Sequence, residues 1–146
     1  MVHALEIVHH LLHPNGDVID IRPSSDPPPI IVRSELGDIT VGWLQETDDY
    51  IEYVQAGQAI EEAVGRGWFK VKQEDEFIYI IHAGNLAELR DFLAEEWHDA
   101  VIPPDARTEI EALYQDDTIV REIVIPERIL IARYTKSSQS EVEDYH

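Results

Sequence analysis

The sequence predicts an α/β protein, a mixed β-sheet with about four helices packed on it. Three observations carry that reading. Apolar residues recur at helical spacing near Met1 to Leu12, Asp48 to Val64, Leu86 to Trp97 and Asp105 to Gln115. Between these segments lie runs rich in Val, Ile, Tyr and Phe, at Asp17 to Ile21, Ile30 to Arg33, Ile39 to Trp43, Trp68 to His82 and Thr118 to Tyr134. Pro and Gly punctuate the joins, at Pro14-Asn15-Gly16, Pro23, Pro27-Pro28-Pro29, Gly65, Gly67 and Pro103-Pro104.

Taken in order, the first helix gathers Met1, Ala4, Leu5, Ile7, Val8, Leu11 and Leu12 on one side and His3, Glu6, His9, His10 and His13 on the other. Pro14 and the Asn15-Gly16 pair end it, because Pro cannot continue a helix and Asn-Gly readily takes positive φ. Asp17 to Ile21 reads as a strand buried on both faces, since Val18, Ile19 and Ile21 alternate only loosely. The Pro-rich stretch from Pro23 to Pro29 reads as a stiff surface connector. Ile30 to Arg33 and Ile39 to Trp43 then form a hairpin with Gly37 in its turn, an inserted β-arm.

Thr47 followed by Asp48 and Asp49 is an N-cap with acids in the first turn, where the helix dipole favours them. The helix it opens runs to Val64 on a stripe of Ile51, Val54, Ala59, Ile60, Ala63 and Val64. Trp68 to Val71 and Phe77 to His82 are β-rich around a polar break at Gln73 to Glu76, consistent with one bent strand or a hairpin. Asn85 with Glu88 three residues on is a capping signal for the third helix. A fourth helix follows Pro103-Pro104, and two β-rich segments meet at Pro126. Residues 1–136 make a single α/β domain on this reading, with 137–146 a flexible acidic tail.

Thirty Asp plus Glu against 11 Lys plus Arg leave a net charge of -19. Such a field repels phosphate backbones and anionic lipid, so neither nucleic acid nor membrane is an expected partner. With no Cys there is no disulfide, zinc ribbon or thiol nucleophile. No apolar run approaches a bilayer span and the first residues carry no basic leader, so a cytoplasmic chain is expected.

Three stretches resemble class I S-adenosylmethionine-dependent methyltransferases. ALEIVHHLLHPNGDVIDIRP is similar to the place where a helix leads through a "vLkPGG" turn into the fifth strand; Leu12, Pro14 and Gly16 match the pattern, and Asn15 replaces its first Gly. AIEEAVGRGWFKVKQE resembles the helix and "GF" strand that follow, and RILIARYTK resembles the last strand. The resemblance implies the C-terminal half of that fold without the donor-binding half. The Gly-rich turn and the acidic residue that hold the methyl donor have no counterpart here, and Gly65-Arg66-Gly67 closes a helix rather than opening one. No cofactor is therefore expected. A strand at Asp17 to Ile21 without its usual neighbour would leave an apolar edge at Val18, Ile19 and Ile21. A second copy across a two-fold axis, the Pro-rich arm, or a separate partner carrying the missing half could cover it, and the homodimer is the simplest.

Other constellations compete with this reading. Glu6, His9 and His13 share a helix face at metal-ligand spacing, although no HExxH is present. Trp43, Tyr50, Tyr53 and Trp97 could line the remnant of a substrate cleft and make the chain a small-ligand binding module. Adjacent acids such as Glu61-Glu62 and Glu95-Glu96 diverge by about 100° on a helix and do not share a proton. No catalytic residue is named, and the expected role is a non-enzymatic interaction or subunit-like protein.

Overall fold

The computed structural model describes residues 2–47 and 50–137. The acids expected in a first turn at Asp48 and Asp49, and the tail from residue 138 onward, lie outside these residues. The chain is α/β with four helices. In order the elements are α1 (Val2–Leu11), β1 (Asp17–Pro23), β2 (Pro29–Ser34), β3 (Gly37–Trp43), β4 (Gln45–Glu46), α2 (Ile51–Gly65), β5 (Phe69–Ala83), α3 (Leu86–Glu96), β6 (Ala100–Val101), α4 (Pro104–Leu113) and β7 (Arg121–Lys136). A five-stranded sheet runs β1-β7-β2-β3 with β5 also on β7, and β4 pairs with β6 in a separate two-stranded ladder. Where a mixed sheet was expected, β1 with β7, β2 with β3, β2 with β7 and β4 with β6 are all antiparallel.

Two compact units share the chain. One draws on Met1–Ser25, Ile51–Phe77 and Ile129–His146, the other on Asp26–Tyr50 and Ile78–Arg128. In the first, Ala63 of α2, Phe69 of β5 and Tyr134 of β7 form a buried cluster, with Leu5, Val8 and Leu12 packed on it. The seven-residue apolar arc expected on α1 is wider than the strip its neighbours cover. Ile7 and Leu11 stay exposed at 46% and 78%, while His9 turns inward instead. At the end of α1, Asn15 takes φ 63° and the Gly16 N–H donates to the His13 carbonyl over 2.8 Å. A Cβ on Gly16 would stand 2.8 Å from that carbonyl oxygen, so the turn excludes every other residue.

The second unit buries Ile30, Leu44, Leu89, Ile110, Ile123 and Ile125, each with no more than 1% of its surface exposed. The hairpin read as an inserted arm is present, but its first strand is interior: β2 pairs with β3 on one side and β7 on the other. α4 lies directly against β3, since a Cβ on Gly42 would be 2.9 Å from that of Ala106. Asn85 caps α3, its Oδ1 accepting from the Glu88 N–H at 2.9 Å while the Glu88 carboxylate accepts from the Gly84 N–H at 2.7 Å. Across the strands, Arg33 pairs with Asp38 at 3.2 Å and with Glu122 at 3.9 Å, and His82 reaches Glu122 at 3.5 Å.

β5 is one continuous strand, the first of the two arrangements open for Trp68 to His82, and β7 joins the two segments expected on either side of Pro126. Gln73 to Glu76 contains neither Gly nor Pro, and β5 passes through it unbroken. β7 crosses Pro126, which falls between the end of its ladder with β2 at Val124 and the start of that with β1 at Ile129. The next residue, Glu127, has its carboxyl pushed above the ordinary value of 4.5, first by burial and then by the charge of Glu46. The folded state thus holds the Glu127 proton more tightly than the unfolded chain, and stability falls as pH rises from 4.5 through the raised value. Glu127→Gln is expected to raise the melting temperature at pH 7 and to leave it nearly unchanged at pH 4, read by calorimetry at both.

Candidate functional site

β1 is where sequence and packing leave an interaction unmet. It pairs with β7 and with no other strand among the described residues. The register sets Asp17 opposite Thr135, Ile19 opposite Arg133, Ile21 opposite Ile131 and Pro23 opposite Ile129. The Lys136 N–H donates to the Gly16 carbonyl at 2.9 Å, making 16 and 136 a hydrogen-bonded pair. Antiparallel alternation then turns the N–H and C=O of Asp17, Ile19 and Ile21 outward, together with the carbonyl of Pro23. These groups form the free edge.

Side chains alternate with the same period. Val18 packs into the core of its unit. Asp20 and Arg22 lie on that same face, in an ion pair of 3.5 Å with side chains about one-fifth exposed at 23% and 19%. Ile19 and Ile21 point the other way and are 55% and 59% exposed. The sequence reading buried this strand on both faces; instead, one face carries the helix-side core and the other is open. Of Val18, Ile19 and Ile21, the first supports the fold and the other two stand at the surface. Arg133, Ile131 and Ile129 extend that surface across β7, and Ile19, Ile131 and Arg133 line a shallow depression of about 210 Å³ with Gln73 and Asp75.

On the inner face, Asp20, Arg22, Tyr134, Glu74 and Glu76 border a cleft of about 370 Å³. The guanidinium of Arg22 leans on Gly57, and its buried Nη1 has no hydrogen-bond partner. The Tyr134 phenol is pushed up by burial and then by the negative charges of Asp20 and Glu74. Sequence reasoning passed over Asp20, Arg22 and Tyr134. The signal available was the two-residue alternation of DVIDIR, which places Asp20 and Arg22 together on the face opposite Ile19 and Ile21.

The histidine constellation does not converge. Glu6 stands 3.7 Å from His3 on the exposed side, and His13 sits beyond the end of α1 with its carbonyl in the turn. His9 packs edge-on against Phe69 at 5.6 Å between ring centres and lies 6.5 Å from Trp68. Among the described residues no group of three His, Asp or Glu is placed to hold a metal ion. Burial lowers the His9 pKa below 6.5, helped by Lys136 and His10, with a backbone hydrogen bond at Ser137 opposing. The unfolded chain binds this proton more readily, so the contribution of neutral His9 is complete above pH 6.5 and is lost as pH falls toward the lowered value. His9→Leu also removes a buried Nε2 that has no partner, and its melting temperature is expected to depend less on pH between 7 and 5 than that of the parent.

The four aromatic residues named for a cleft lie on different elements. Trp43 is 54% exposed at the end of β3. Tyr50 is buried with φ 63°, its hydroxyl donating to the Leu44 carbonyl at 2.7 Å. Trp97 ends α3 and donates its indole N–H to the buried carboxylate of Glu46. Tyr53 belongs to α2 in the other unit. Among the described residues no helix is long and apolar enough to cross a membrane. No family model, characterised protein or solved structure matches the chain.

Proposed function

We propose that the chain acts as a non-enzymatic interaction or subunit-like protein that self-associates through β1, with a methyltransferase-like order of elements and no methyl-donor site. The observation that carries this reading is the free edge of β1, with Ile19 and Ile21 more than half exposed beside it. Apolar edges of this kind recruit another strand unless covered. The order α1, β1, α2, β5 and a final β7 supports the likeness to the helix, turn and strands named above.

A second copy is the occupant that β1 itself suits. With a two-fold axis at Ile21, the two Ile21 residues face each other as a hydrogen-bonded pair, and Asp20 of each copy meets Arg22 of the other. These opposite charges fall in the closer, non-hydrogen-bonded positions. An axis at Asp20 would instead oppose two carboxylates, so charge selects the register.

Light scattering behind a sizing column, at two salt concentrations, tests the proposal. Two chains of charge -19 repel, and salt screens that repulsion, so the dimer is expected to be firmer at high salt. A mass of one chain at micromolar concentration in both buffers would sink the self-association. A partner bearing the missing half would then become the next occupant to seek.

A further inference from the structure

We infer that a cleft bounded by α3, β6 and α4 is a binding site for a small amphipathic anion, a carboxylate or phosphate head on a short apolar stem. This inference concerns the unit that does not contain β1 and does not rest on the dimer. The cleft measures about 330 Å³, within the range of small-ligand sites. Arg90, Arg107 and His98 line it together with Leu93, Val101 and Ile102; His98 already faces the Asp99 carboxylate at 3.5 Å, and the two arginines supply the positive charge.

That composition is unusual for this chain. Acidic residues outnumber basic ones 30 to 11. Three other clefts include carboxylates: Asp20 and Glu74 in one, Asp75 in another, Glu35 and Glu122 in a third. Arg33, Arg66, Arg128 and Arg133 are likewise tied up in ion pairs with Asp or Glu. Arg90 and Arg107, by contrast, make no side-chain hydrogen bond or ion pair among the described residues, and both meet at this cleft. Two unengaged guanidinium groups over an apolar wall suit a planar or tetrahedral oxyanion carried on hydrocarbon. Each fork can take two oxygens, while Leu93, Val101 and Ile102 accept the stem.

The chemistry excludes the opposite charge and needs both ends of the ligand. Inorganic anions and acetate lack the stem, octanol lacks the head, and octylammonium reverses it. The test is titration of the full chain by calorimetry and by amide shifts with octanoate and octyl phosphate, using those three compounds as controls. Saturable one-to-one binding at about millimolar affinity or tighter is expected for at least one of the two anions, and the tighter identifies the head. Shifts should gather on residues 90–107. The double variant Arg90→Gln/Arg107→Gln should weaken binding about tenfold or more without changing the melting temperature, because both side chains are exposed and unpaired. Octanol binding as tightly as octanoate, unchanged affinity in the double variant, or no saturable binding of either anion would overturn the inference. A variant with a lowered melting temperature would be replaced by Arg90→Lys/Arg107→Lys. There, retained but weaker binding supports the site, and unchanged affinity for both anions counts against it.

Discussion

Ile21→Asp is expected to turn the dimer into a monomer at concentrations where the parent associates. In the proposed pairing the two copies of residue 21 meet on the axis, so one substitution changes both sides of a single contact. An apolar cross-strand pair contributes up to about 1 kcal/mol, and two carboxylates placed directly opposite cost about another 1 kcal/mol even in high dielectric. Together these amount to about 2 kcal/mol, roughly a thirtyfold rise in dissociation constant, measured by sedimentation across a concentration series. The fold should survive, because Ile21 is 59% exposed and its N–H points away from β7. The charge register has its own test. Arg22→Asp alone opposes like charges twice and should weaken the dimer further, whereas Asp20→Arg/Arg22→Asp exchanges the partners and should restore it. Equal mass for all these variants and the parent would discard the register.

Leu89→Ala is expected to cause a large loss of stability. Leu89 is fully buried in the core built from α3, α4 and the β2, β3 and β7 strands. Removing a buried leucine side chain costs about 3 to 4 kcal/mol, the lost transfer energy plus the cavity left behind. For a chain of this length that corresponds to a fall of roughly 10 °C in melting temperature. Leu36→Ala is the matched control: Leu36 is 76% exposed in the β2–β3 turn, and its truncation should change stability by less than about 0.5 kcal/mol. A similar melting temperature for both variants would mean that this core does not govern unfolding.

Local chemistry was readable in the sequence where a few neighbouring residues determine it. Asn85 with Glu88 announces the start of α3, and Pro14-Asn15-Gly16 the end of α1, because caps and turns are made by residues within four positions of each other. The four helices were legible for the same reason. Choices made by tertiary packing were not. His9 and Leu11 exchange their expected places because the layer against α1 takes Leu5, Val8 and Leu12, and a periodic pattern does not say which edge of a wide apolar arc is covered. Pro126 reads as a break, yet β7 continues through it, because its pairing on either side of the proline is with β2 and β1, strands more than ninety residues earlier.

The candidate sites divide along the same line. Ile19 and Ile21, named from the strand and its missing neighbour, stand exposed beside the edge of β1, while Val18 belongs to the core by simple alternation. Trp43, Tyr50, Tyr53 and Trp97 share only residue type, and each is held by its own element. Arg90 and Arg107 carried no signal in sequence, because their cleft exists only once α3 and α4 are folded around β6.

The most direct test of the β1 pairing uses the absence of native cysteine. In an antiparallel hydrogen-bonded pair the facing Cα atoms are about 5.5 Å apart, within disulfide reach. Ile21→Cys should therefore form a disulfide-linked dimer quickly under mild oxidation at micromolar concentration, while Leu36→Cys, more exposed but outside β1, should link slowly and only by collision. Equal rates for the two, or a position 21 thiol that stays reduced, would contradict self-association through β1.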